Sequence, residues 1–122
     1  MQKLTFERAW DKTIAKGDRE HIKTVFSKQV NTLEEGVHLS FLKKAVNYKN
    51  ELLITVLIHN RMEAELSIDQ TVISYEEIGK EIAKAAFIVP CTIQAKTSMP
   101  WTFIFPQTSE TNEAPVFKIS SV

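Results

Sequence analysis

This chain of 122 residues has one cysteine, three glycines and no net charge at neutral pH. Each shortage excludes something. A lone thiol, Cys91, cannot build an intramolecular disulfide framework, and it suits a reducing compartment. Gly17, Gly36 and Gly79 are each isolated, so no glycine-rich loop is present to cradle a phosphate. Fifteen basic residues balance fifteen acidic ones. There is no global field to draw nucleic acid or acidic lipid, and no nucleic-acid partner is expected. No apolar run approaches the ~20 residues of a membrane helix, so no membrane span is expected. The first eleven residues carry charge throughout and lack the apolar stretch of a signal peptide. The expected location is the cytoplasm.

Catalytic and metal-binding patterns are equally scarce. His21, His38 and His59 fall in three different elements with no paired ligand spacing, so no metal or other cofactor is expected. No Gly-x-Ser-x-Gly elbow occurs. Glu34–Glu35 and Glu76–Glu77 are adjacent pairs, and general acid–base work needs carboxylates that face each other across a cleft. Lys43–Lys44 reads as a solvated strand end. Cys91 follows Pro90 at a strand break. No nearby motif supplies a base or a cationic environment, so it reads as a small filler rather than a nucleophile.

What the chain does have is a change of period near Asn31–Gly36. Before it the spacing is helical: Phe6, Ala9, Trp10 and Ile14 recur at three- and four-residue steps. Thr5 suits an N-cap, and Gly17–Asp18 reads as a stop followed by a second N-cap. Ile22, Val25 and Phe26 mark one face of the next helix. Two helices this short are not stable alone. The pair, spanning 5–28, is expected to dock through Trp10, Ile14, Ile22 and Phe26.

After Gly36 the period falls to two. A strand is expected from Val37 to about Val46, with a turn at Asn47–Asn50. Then comes Glu51-Leu-Leu-Ile-Thr-Val-Leu-Ile-His-Asn60, the strongest strand signal, ending in a turn at His59–Arg61. Leu52, Ile54, Val56 and Ile58 face one way; Leu53, Thr55 and Leu57 face the other. A strand apolar on both faces must be covered on both. Leu66–Ile68 and Thr71–Tyr75 read as short strands, Glu76–Lys80 as a hairpin turn, and Ile82–Val89 as the returning strand. Thr92–Gln94 is brief. Trp101, Phe103 and Phe105 alternate in the last clear strand, and both Trp10 and Trp101 read as core. Turns at this spacing favour an antiparallel β-sandwich of the immunoglobulin-like type over residues 37–106. Residues 107–122 read as a flexible tail carrying a short strand-forming patch at Val116-Phe-Lys-Ile119.

Three segments carry a resemblance. Phe6–Ala15 with Asp18–Lys23 resembles the opening of the SLAP domain, named for the S-layer assembly protein of Bacillus-like bacteria. Glu51–Asn60 is similar to its central strand. Ile93–Pro106, with its Pro-Trp-Thr-Phe-Ile-Phe-Pro run, is similar to its closing strand. The resemblance spans about 4–106 and leaves the tail outside. It implies an accessory role in exporting or assembling surface-layer proteins beside a dedicated secretion ATPase, with no catalysis and no site residues.

The expectation is therefore a non-catalytic protein-binding adaptor. Its partners would be a secretion ATPase or a surface-layer client, and self-association stays open because a sandwich has unpaired edges. Val116, Phe117 and Ile119 are the candidate protein-binding residues. The alternatives are an extracellular sandwich domain of adhesion or carbohydrate-binding type and a small enzyme using Cys91.

Overall fold

The computed structural model describes residues 1–107 and 111–121. In chain order the elements are β1 (Lys3–Leu4), α1 (Arg8–Thr13), α2 (Lys16–Gln29), β2 (Val37–Val46), β3 (Leu52–Asn60), β4 (Thr71–Glu77), β5 (Lys80–Phe87), β6 (Thr97–Phe105) and β7 (Phe117–Ser121). They form a two-sheet sandwich of the expected mostly-β class with the helical region on its N-terminal side. The first sheet has the order β1-β6-β3-β2 and the second β5-β4-β7. Pairing is antiparallel except at the two chain ends, where β1 joins β6 and β7 joins β4 in parallel.

The inner faces make the core. Ile54, Val56 and Ile58 of β3 meet Ile73 and Tyr75 of β4, with Phe103 and Phe105 of β6 and Ile119 of β7. Phe41 stacks on Tyr75, and Phe87 packs 4.9 Å from both Phe103 and Phe105, centroid to centroid. β4 runs diagonally beneath the first sheet. Phe87, opposite its first residue, sits under β6, whereas its last residue, Glu77, reaches Lys44 of β2.

β3 is covered on both faces, as its two-sided apolar pattern requires. One cover is the second sheet; the other is α2. Ile22 is the buried anchor of that helix, and Phe26 lies 6.5 Å from the His59 ring in a stacked arrangement. Arg61 donates to the carbonyl of Val30 at 2.7 Å, which satisfies an end group of the helix.

Several local expectations need correcting. The helices break at Ile14–Ala15, both extended, rather than at Gly17. Gly17 instead lies in the first turn of α2, with Asp18 beside it, favourably placed for the helix dipole. Glu7, not Thr5, caps α1 by accepting from the Ala9 N–H at 3.1 Å. Leu66–Ile68 and Thr92–Gln94 are not strands; a single bridge joins Leu66 to Ile93. His59 and Asn60 belong to β3 rather than to a turn.

The largest correction concerns the C-terminal tail. Phe117–Ser121 is a strand of the sandwich, with Ile73 opposite Phe117 and Tyr75 opposite Ile119. Ile119 is fully enclosed. The polar stretch before it misleads because the composition of a connection does not decide the fate of the apolar patch that follows. Part of that stretch, 108–110, and Val122 lie outside the described residues.

Candidate binding cleft

A β-bulge in β2 creates the candidate site. Phe41 pairs with Val56 and Lys43 with Thr55, so Leu42 is an extra residue. It and Lys43 both fall on the outer face of the first sheet. Beyond the bulge Lys44 turns to the other face, where its ammonium meets Glu77 Oε2 at 2.7 Å.

Above that outer face, α1 and the start of α2 do not close down fully. A cleft of about 100 Å³ remains, walled by Trp10, Ile14, Ile22 and Leu42. Its floor is the cross-strand pair Thr55 and Thr102, whose hydroxyls bond each other at 2.8 Å. Asp18 and Lys43 stand on its rim, 3.7 Å apart, and His21 also lines it. The Arg19 guanidinium braces the helix pair, reaching the Asp11 carboxylate at 2.9 Å and lying 4.6 Å over the Phe6 ring. One row further along the sheet, Leu53 faces Ile104, which is 48% exposed. The cleft thus opens onto an apolar shelf. Apolar walls, a satisfied polar floor and a charged rim can hold an aliphatic side chain.

Trp10, expected in the core, is only half-buried and forms a wall of this cleft. Trp101 is also half-buried but packs on the core. Val116 is 64% exposed, and its N–H bonds the Val72 carbonyl at 2.8 Å. Phe117 packs against the core and Ile119 faces into it. β7 therefore offers its pairing groups to β4 of its own chain, and Ile119 has no surface to present.

The other reactive groups are dispersed. Cys91 packs beside the core, its sulfur 4.0 Å from that of Met99. Burial, and then the charge of Glu7, push its thiol above the usual range. His59 is fully buried between Ser98 and Gln29 and lines no cleft. Among the described residues no cluster of His, Cys, Asp and Glu could hold a metal ion, and no helix is long and apolar enough to cross a membrane.

Sequence reasoning missed the cleft because it depends on the bulge at Leu42. The one available signal was that Phe41, Leu42 and the two lysines break the alternation. A family model described as SLAP domain matches residues 4–120, which takes in β7 as well as the helices. No curated protein and no solved structure matches the chain.

Proposed function

This chain belongs to the SLAP-domain family, and from that membership we propose that it is a non-catalytic adaptor in the export or assembly of surface-layer proteins, working in the cytoplasm. The observation that carries the reading is the preformed cleft beside Trp10. A half-exposed tryptophan on the wall of an apolar recess is the kind of group that dominates protein–protein affinity. The partner element would place an aliphatic side chain over Thr55–Thr102 and a second one on the Leu53–Ile104 shelf. Those rows are two residues apart on the same strands, about 7 Å. A secretion ATPase or a surface-layer client would supply that element. The raised Cys91 thiol weighs against a cysteine-based reaction at neutral pH.

The test is capture from the native host with the intact chain and with Trp10→Ala, followed by identification of what is retained. Retention of a secretion ATPase or a surface-layer protein is expected. Trp10→Ala should cost about 2 kcal/mol, roughly thirtyfold in Kd. Equal capture by both chains would move the interface elsewhere.

A further inference from the structure

The helices lie on the first sheet, and among the described residues none lies on the outer face of the second. Alternation defines that face. Ile73 and Tyr75 of β4 point into the core, so Val72, Ser74 and Glu76 point away from it. Ser74 sits at the centre, with Lys84 of β5 opposite it on one side and Lys118 of β7 on the other. Both lysines share the outer face. Their chain neighbours Ala83, Ala85, Phe117 and Ile119 all pack inward.

Ser74 is unusual for a serine on such a face. It is 0% exposed, and its Oγ has no hydrogen-bond partner. A buried hydroxyl left unpaired costs free energy, so most are paired. Its two neighbours are short of partners as well. Lys84 is half-buried and, among the described residues, makes no ion pair. Lys118 meets Glu76 at 3.8 Å, too long for a hydrogen bond. Paired strands lie ~4.8 Å apart, so the two lysine backbones stand about 10 Å apart with the serine midway. Both side chains are long enough to bring their ammonium groups over it. One hydroxyl at the base and two ammonium groups above make a bracket of three donors.

We propose that this row binds a tetrahedral oxyanion of the phosphate class, with Ser74 Oγ donating to one oxygen and Lys84 and Lys118 to the others. Charge and shape favour phosphate over a carboxylate. A phosphate group carries about −1.5 to −2 charges at neutral pH and offers three acceptor oxygens, which suits two cations and three donors. A carboxylate has one charge and two oxygens. Lysine holds phosphate as a point charge on a flexible stem, so rotation of two stems opens the row. Glu76 is the competitor, two residues along β4 and sharing Lys118. The site lies across the sandwich from the Trp10 cleft and stands independently of the adaptor reading.

A chemical-shift titration of the full chain with inorganic phosphate, at constant ionic strength, tests it. The amides of Ser74, Lys84 and Lys118 should shift together and saturate by roughly 10 mM. Shifts spread over the whole surface, or none that saturate by about 100 mM, would overturn the proposal. Acetate should give no saturable shift there; binding as tight as that of phosphate would refute a tetrahedral site. Lys84→Met keeps the stem and removes the charge, so it should weaken phosphate at least about tenfold. Ser74→Ala should bind phosphate several-fold more weakly, yet melt no lower than the native chain without phosphate, since it deletes an unpaired hydroxyl. A lower melting temperature would show that the hydroxyl is paired in the free protein, against the premise. Glu76→Gln should tighten binding by freeing Lys118. Unchanged binding in both Ser74→Ala and Lys84→Met would sink the site. Glycerol phosphate separates the sources: binding tighter than inorganic phosphate assigns the site to a phosphate carried on a larger molecule, and equal binding assigns it to the free ion.

Discussion

Ser98 Oγ lies 2.6 Å from His59 Nδ1, inside a polar chain that crosses from Gln2, just before β1, to α2. Gln2 Nε2 donates to Ser98 Oγ at 3.1 Å, and His59 Nε2 faces Gln29 Oε1 at 3.4 Å. One neutral tautomer fits these contacts: Ser98 donates to Nδ1, and Nε2–H donates toward Gln29. Burial, with smaller charge effects of His38 and Arg61, lowers the His59 pKa from 6.5 to about 4. The folded protein therefore resists a proton that the unfolded chain accepts. Between about pH 6.5 and 4 the unfolded state binds more protons, so stability falls as pH falls through that window. The loss approaches about 3 kcal/mol below pH 4. Urea titrations at pH 7.5 and pH 4.5 should show the drop, and His59→Gln should flatten it. An unchanged slope in the variant would assign the effect to other groups.

Removing the chain beyond Gln107 should unfold or severely weaken the sandwich rather than trim a tail. It takes away β7 and uncovers β4. Ile119→Ala alone, at a fully buried site, should cost about 2–5 kcal/mol by denaturant melting. A cost under about 1 kcal/mol would mean that β7 is not held in solution.

Asn60 should be as costly to lose as a core residue. Its amide nitrogen serves the carbonyls of Ala64, Ile93 and Gln94 at 2.9–3.1 Å, and its side-chain oxygen accepts from the Met62 N–H. Asn60→Ala removes this partner from the Ala64 and Gln94 carbonyls and the Met62 N–H, while the Ile93 carbonyl keeps the Leu66 N–H, and should destabilise by at least about 2 kcal/mol, seen as a lower urea midpoint. Near-native stability would show that water replaces the side chain easily.

Cys91 should react with an alkylating reagent more slowly than a free model thiol at neutral pH, because burial disfavours its thiolate. Faster reaction would revive a nucleophilic role.

Much of the fold is legible where local pattern and tertiary demand agree. The Val37–Val46 strand and the Leu52–Ile58 alternation read correctly from residues alone, and the hairpin turn expected at Glu76–Lys80 is present with Glu76 and Glu77 still in β4. The SLAP resemblance likewise rests on short runs of sequence, and the matched span of 4–120 goes beyond it by including β7. The cleft was not legible. Trp10 and Ile14 carry a helical period whether they plug a core or wall a recess.

Alternation along β3 by itself determined that both faces of this strand are covered, because a two-residue period leaves no other place for Leu53, Leu57 and their neighbours. Only the tertiary structure decided what covers them. One face meets β4 and β7, so Ile119 is core and not tail; the other meets α2, so His59 is neutral and enclosed. The same holds for Leu42 and Lys43. A bulge is a property of two strands in register; the broken alternation at Phe41–Lys44 hints at an irregularity, but only the pairing with β3 makes Leu42 the extra residue. That one extra residue puts Lys43 on the cleft rim and sends Lys44 to Glu77.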